Sequence, residues 1–179
     1  MSLRKSLPNR VSRSVRYLLT ALVICSATMK AQAASPTLQH LYPAGISAGA
    51  SRSIRSTGKI DPWPPQVWIS GTGVRLEPEE KEKVWRVIAD KNAPIGPRLV
   101  RFFNDEGASN PRYIIVSQTS DGEESEPNDR IDEANSIHDL PALTHGRLNR
   151  RQDTDMFRIH LQAGQTFIAR LDAYVLGST

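Results

Sequence analysis

The chain has 179 residues, 39% of them apolar and 23% charged, with 23 Lys+Arg against 19 Asp+Glu for a formal charge of +4. That composition excludes a fully disordered or multi-spanning chain and suits one domain or two small ones. The one cysteine, Cys25, lies near the N-terminus, so the remainder has no disulfide, thiolate metal site or cysteine nucleophile. A basic balance is the usual footprint of phosphate binding, but its distribution argues against nucleic acid as a partner. Residues 1–33 hold six cations and no acid, which leaves 17 Lys+Arg and 19 Asp+Glu in residues 34–179, a balance of −2.

In chain order, residues 1–33 come first. Arg4, Lys5, Arg10, Arg13 and Arg16 precede the apolar run Tyr17–Met29, which is followed by Ala31-Gln32-Ala33. A positive start, a short apolar run and a small-x-small triplet describe a secretory signal peptide. The run is shorter than the ~20 residues of a comfortable bilayer span. The mature chain is therefore expected to begin near Ala34 and to be secreted, periplasmic or on the cell surface, meeting a membrane only during export.

Residues 34–118, with a balance of +3, read as β-rich. Leu38–Tyr42, Gln66–Ser70, Leu99–Phe103 and Tyr113–Val116 are short apolar runs punctuated by Gly, Pro and Asn, a pattern that suits a small antiparallel sandwich. Glu77–Asp90 is ambiguous, since Leu76, Val84, Val87 and Ile88 would also fit a helical face. The alternation of Trp85, Val87 and Ala89 favours a strand from Lys83 to Ala89. Ser120-Asp-Gly-Glu-Glu-Ser-Glu-Pro-Asn-Asp129 has five acids in ten residues and no apolar side chain, so residues 119–129 read as an acidic linker or ligand loop. Beyond it, Arg130–Ile137 suggests a helical turn. Met156–Leu161 and Thr166–Ala173 read as two strands joined by a hairpin turn around Gly164.

Two families are resembled. Pro36-Thr-Leu, Tyr42-Pro-Ala-Gly45, Gly49, Gly58, Ala93-Pro-Ile-Gly96, Val100-Arg-Phe, Gly107-Ala-Ser-Asn-Pro111 and Tyr113-Ile-Ile-Val116 resemble an IPT/TIG-type immunoglobulin-like domain. The segment between Gly49 and Gly58 departs from that pattern, because Ile54 is its one sizeable apolar residue. Glu124-Ser-Glu-Pro-Asn-Asp129, Ala134, Leu140-Pro141, Gly146, Asp153-Thr-Asp-Met-Phe157, Ala163-Gly-Gln-Thr166 and Leu176-Gly-Ser178 resemble the start of a bacterial pre-peptidase C-terminal (PPC) domain. Members of that family continue past this Leu-Gly-Ser, so residues 130–179 are expected to be an incomplete, jelly-roll-like β module. Together the resemblances imply an all-β chain of two successive sandwiches with no catalysis of its own.

The strongest chemical feature is the acidic loop. Glu124, Glu126, Asn128 and Asp129 offer oxygens along an extended segment, Pro127 fixes its own φ, and Asp153 and Asp155 lie just before the next strand. Calcium takes six to eight hard oxygen ligands, which two such loops can supply. The collagen-binding domains of clostridial collagenases look similar here, and the resemblance implies calcium at such a Glu-x-Glu-Pro-Asn segment. The alternative is a solvated acidic linker with a turn aspartate.

Other motifs carry bland readings. Gly45-Ile-Ser-Ala-Gly49 matches G-x-S-x-G, but Tyr42-Pro-Ala before it and the polar Ser51–Lys59 after it do not supply the strand and helix of a nucleophile elbow. His40, His138, His145 and His160 have no zinc spacing and read as turn or surface residues. Arg147–Arg151 reads as a turn with local ion pairing. Trp63, Trp68 and Trp85 fill a core or form a sugar-stacking surface. The expected role is an exported accessory module that meets an extracellular protein or polysaccharide. The alternatives are the N-terminal remnant of a secreted peptidase and a carbohydrate-binding surface protein.

Overall fold

A computed structural model describes residues 34–173 and Leu176, all within one compact unit, Ala33–Thr179. The expected leader lies outside the described residues, as does most of the Leu-Gly-Ser segment. The strands in chain order are β1 (His40–Tyr42), β2 (Gly45–Ser47), β3 (Ser51–Thr57), β4 (Gln66–Ile69), β5 (Val74–Pro78), β6 (Val84–Ala89) and β7 (Gly96–Asn104). They continue with β8 (Gly107–Ala108), β9 (Arg112–Ser117), β10 (Ser120–Glu123), β11 (Asn135–Ile137), β12 (Ala142–His145) and β13 (Phe157–Ile159). No helix among the described residues is long and apolar enough to cross a membrane.

The first nine strands form two facing sheets. One has the order β1-β3-β6-β5; the other has the order β2-β9-β7-β4, with β8 paired to β7. With the first strand divided between the sheets, these are the A-B-E-D and G-F-C orders of an immunoglobulin-like sandwich. The inner positions alternate as a half-buried strand requires. Leu41, Ile54, Trp85 and Val87 face Ile46, Val100, Phe102, Ile114 and Val116 across the core. Trp85 lies 4.8 Å from Phe102 and 4.7 Å from Trp63, ring centre to ring centre. Its buried indole N–H donates to Ser56 Oγ at 3.0 Å.

That bond explains β3, the strand least visible in the sequence. Only Ile54 and Ser56 need to suit the interior, and the Ser56 hydroxyl is there to receive the indole. The ambiguous Glu77–Asp90 stretch is β-structure, because β6 is paired on both sides, with β3 and β5. After Thr57 the chain turns at Gly58, at φ +127°, where a Cβ would lie 2.1 Å from the Thr37 carbonyl oxygen.

The region after β9 is built from short parallel pairs. β10 pairs with β12, and β11 with β13. The acidic segment 119–129 is therefore not a free linker: it begins as a strand and ends with Asn128 fully buried. It is tied to the sandwich by Ser47 Oγ, which donates to the Thr119 carbonyl at 2.8 Å, and by Arg52, which pairs with both Asp121 and Glu123. Residues 130–133 make a single turn, closed by Glu133 N–H on the Arg130 carbonyl at 3.0 Å, and β11 follows.

The expected strand Thr166–Ala173 is absent. Gln165 N–H does close a turn on the Gln162 carbonyl at 3.1 Å, with Gly164 at φ +89°. Beyond it the alternating residues have no strand partner among the described residues, and Ile168 and Leu171 are 86% and 90% exposed. Upstream, Met156–Leu161 is a strand only over Phe157–Ile159, which pairs with β11 on one edge and with no segment of residues 166–173 on the other. Strand propensity without a partner strand leaves the chain irregular.

Candidate metal centre

The parallel pairs bring three loops together. Glu124 N–H donates to the His145 carbonyl at 2.9 Å, extending the β10–β12 ladder by one residue. Met156 N–H donates to the Asn128 carbonyl at 3.0 Å, and Asn135 N–H to the Met156 carbonyl at 2.9 Å. The Asn135 side chain clamps Ser125, accepting from its N–H at 2.6 Å and donating to its carbonyl at 2.8 Å. Residues 124–128, 145–147 and 153–156 are thereby held side by side.

Within this frame one oxygen each of Glu124, Glu126 and Asp155 lies within 4.8 Å of the other two. Glu124 Oε2, Asp155 Oδ1, Asp153 Oδ1 and both side-chain atoms of Asn128 are buried without a hydrogen-bond partner among the described residues. Asn128 is 0% exposed, and the Asp153 side chain is 1% exposed. Buried polar atoms are normally satisfied, and a cluster that is not points to an ion or water. Asp153 Oδ1 does lie 3.5 Å from Arg150 Nε, close enough for Coulomb attraction but not for a hydrogen bond.

Other oxygens are already engaged. Glu124 Oε1 accepts from Arg147 N–H at 2.5 Å, and Glu126 accepts from Asn128 N–H at 3.1 Å and Asn149 Nδ2 at 3.0 Å. Gly146 closes the fourth side: a Cβ there would lie 2.8 Å from Glu124 Oε2 and 3.0 Å from Asp155 Oδ2. Asp129 stands apart from the group, since Thr154 N–H donates to one of its oxygens at 3.2 Å and Arg150 to the other.

The charges follow this division. Burial pushes Glu124 above the ordinary carboxylate range, with Asp155 adding to it against the Arg147 N–H bond. Burial likewise raises Asp155; its side-chain hydrogen bond with Glu124 works against this, and the charges of Asp153, Glu126 and Asp129 add to the rise. The Thr154 N–H bond, followed by Arg150, holds Asp129 below that range. Asp121, outside the cluster, is pulled up by burial, but hydrogen bonds from His145 and Arg52 outweigh it and leave it low. The two raised acids are those with the least neutralisation, which is where a cation would gain most.

The unpartnered acceptors are oxygens of three carboxylates, Glu124, Asp153 and Asp155, and of the Asn128 amide, a donor set that suits calcium or another hard cation rather than zinc or copper. Of the six residues read from the sequence, the structure sets ligand oxygens of Glu124, Glu126 and Asp155 within 4.8 Å of one another, buries unpartnered oxygens of Asn128 and Asp153, and turns Asp129 toward Arg150.

The remaining motifs resolve plainly. Ser47 of the G-x-S-x-G match lies in β2 with its hydroxyl on Thr119, so there is no nucleophile elbow. His145 is not a surface residue: it is 8% exposed, with Nε2 2.8 Å from Asp121 Oδ1. Trp85 is buried, Trp63 packs on it and Trp68 is 48% exposed, so the three do not share one sugar-stacking face.

No protein-family model and no curated protein matches the chain. Among solved structures it is similar to the twitchin kinase region from C. elegans, with 15% identity over 47% of this chain, 16% of that chain and a TM-score of 0.33. A chimeric titin Z1Z2 carrying a decorin peptide shares 18% identity over 46% of this chain and 94% of its own, with a TM-score of 0.29. A chimeric titin Z1Z2-Z1Z2 tandem shares 17% identity over 47% of this chain and 50% of its own, also at 0.29.

Proposed function

We propose that the chain is an exported, non-catalytic docking module whose acidic cluster binds calcium. The observation that carries this reading is the set of buried, unpartnered oxygens on Glu124, Asn128, Asp153 and Asp155 beside Glu126. The resemblance of residues 121–179 to PPC accessory domains supports the accessory role, and that of Glu124-Ser-Glu-Pro-Asn128 to the segment of clostridial collagen-binding domains supports the metal. A bound calcium would neutralise carboxylates that otherwise repel one another, and would cross-link the 124–128 and 153–155 loops. Because it binds only the folded arrangement, it stabilises that arrangement by about 1.4 kcal/mol at tenfold over its dissociation constant.

Titration calorimetry of the full chain tests this. Calcium should give a saturable binding event that a chelator reverses and that Glu124→Gln and Asp155→Asn each abolish. No binding at millimolar calcium, or equal binding by both variants, would overturn it.

A further inference from the structure

The outer face of the first sheet carries residues that the fold does not use. In register, His40 stands opposite Thr57, Tyr42 opposite Arg55, and Val84 beside Arg55 on its other side. These positions alternate with the core residues Leu41, Ile54 and Trp85 and so point outward. With Arg147 and Glu123 as one wall, they enclose a groove of about 600 Å³.

The charge in this groove is unbalanced. Its one carboxylate, Glu123, shares Arg52 with Asp121, against two guanidinium groups, Arg55 and Arg147; Arg86, nearby on the same face, is matched by Glu79 at 2.9 Å. Arg55 has no ion pair or hydrogen bond among the described residues. Arg147 lies over the Tyr42 ring at 5.3 Å from its centre and donates from Nε to Asn149 Oδ1 at 2.7 Å, without a carboxylate partner among the described residues. Its main chain is pinned by the bond to Glu124 Oε1, so its guanidinium is positioned before any ligand arrives.

We propose that this groove binds an extended acidic peptide segment of a partner protein, with alternate side chains placing carboxylates on Arg55 and Arg147. Guanidinium groups suit carboxylates because they offer two parallel N–H donors. An extended peptide repeats its side chains about every 6.6 to 7 Å, the same repeat that sets Ser53, Arg55 and Thr57 along β3. A sugar polymer is disfavoured because the Tyr42 face, the aromatic platform of the groove, is covered by Arg147. A small free carboxylate would leave most of the open groove in water. The inference rests on the docking-module reading and does not require the metal.

The test is fluorescence anisotropy on the full chain with a fluorescein-labelled peptide alternating Glu and Val, beside its Lys-Val counterpart and polygalacturonate as competitor. The Glu-Val peptide should bind saturably and more weakly at raised salt, and the Lys-Val peptide should not bind. Arg55→Gln and Arg147→Gln should each weaken binding about tenfold or more. Arg55 touches no residue of the acidic cluster, so Arg55→Gln should retain the wild-type calcium titration, and Arg147→Gln should keep the wild-type urea-denaturation midpoint, which separates loss of the groove from misfolding. Absence of saturable binding, binding unchanged in both variants, or preference for polygalacturonate would overturn the proposal. Calcium binding without peptide binding would remove the groove alone, and peptide binding without calcium would remove the metal alone.

Discussion

Residues 36–118 bury Trp85, Phe102, Val87, Val100, Ile114 and Val116 to 0% exposure between two sheets. Residues 120–173 do the reverse, leaving Ile131, Ile168 and Leu171 78%, 86% and 90% exposed while burying Asn128 and His145. The first region is held by apolar area removed from water, worth roughly 25 cal/mol per Å². The second has strands of three or four residues in two-stranded parallel pairs, which are marginal in water by themselves. Its order comes from polar contacts, and the unpaired acids among them oppose that order until something neutralises them. One chain thus contains a sandwich stabilised by its core and a polar region whose stability depends on its charge state.

The largest way to break this comparison is at the core of the first region. Trp85→Ala should cost about 3–5 kcal/mol, by lost burial, a cavity and the lost indole hydrogen bond to Ser56, measured by urea denaturation followed by circular dichroism. A loss under about 1 kcal/mol would mean that the sandwich is not held by its core. A smaller, sharper change sits at Gly146. Its Cβ would meet the ends of two flexible side chains, Glu124 and Asp155, and not backbone. Gly146→Ala should therefore cost less than about 1 kcal/mol of stability yet weaken calcium binding about tenfold in the calorimeter, because the two carboxylates must move apart. Wild-type affinity in this variant would place the ion elsewhere.

The same contrast explains what was legible in the sequence. The runs at Gln66–Ser70, Leu99–Phe103 and Tyr113–Val116 fall within β4, β7 and β9 or overlap them closely, because each carries its own burial signal. β3 was hidden because Ser56 shares its inward side with Ile54, and what makes Ser56 a core residue is an indole 29 positions away; β5 offers only Val74 and Leu76 to the core, too few to mark a strand by themselves. Thr166–Ala173 shows the converse, a strand pattern with no neighbour to pair with among the described residues. At the site, Glu124, Glu126, Asn128 and Asp155 could be singled out because their spacing along two loops is itself the signal. Asp129 had the same local signal, but Arg150 and the Thr154 N–H claim it, and neither is visible from composition. Gly146, His145 and Arg147 enter only through the β10–β12 pairing, which places a later segment against an earlier one.

The most direct test of a cation-dependent second region is hydrogen exchange followed by mass spectrometry on the full chain, in calcium and in chelator. Calcium should slow the amides of residues 124–128, 145–147 and 153–157, including Glu124 and Met156, whose N–H groups bridge the loops. Amides of β3, β6, β7 and β9 should exchange alike in both conditions. Identical exchange of the three acidic-cluster segments with and without calcium would contradict the account.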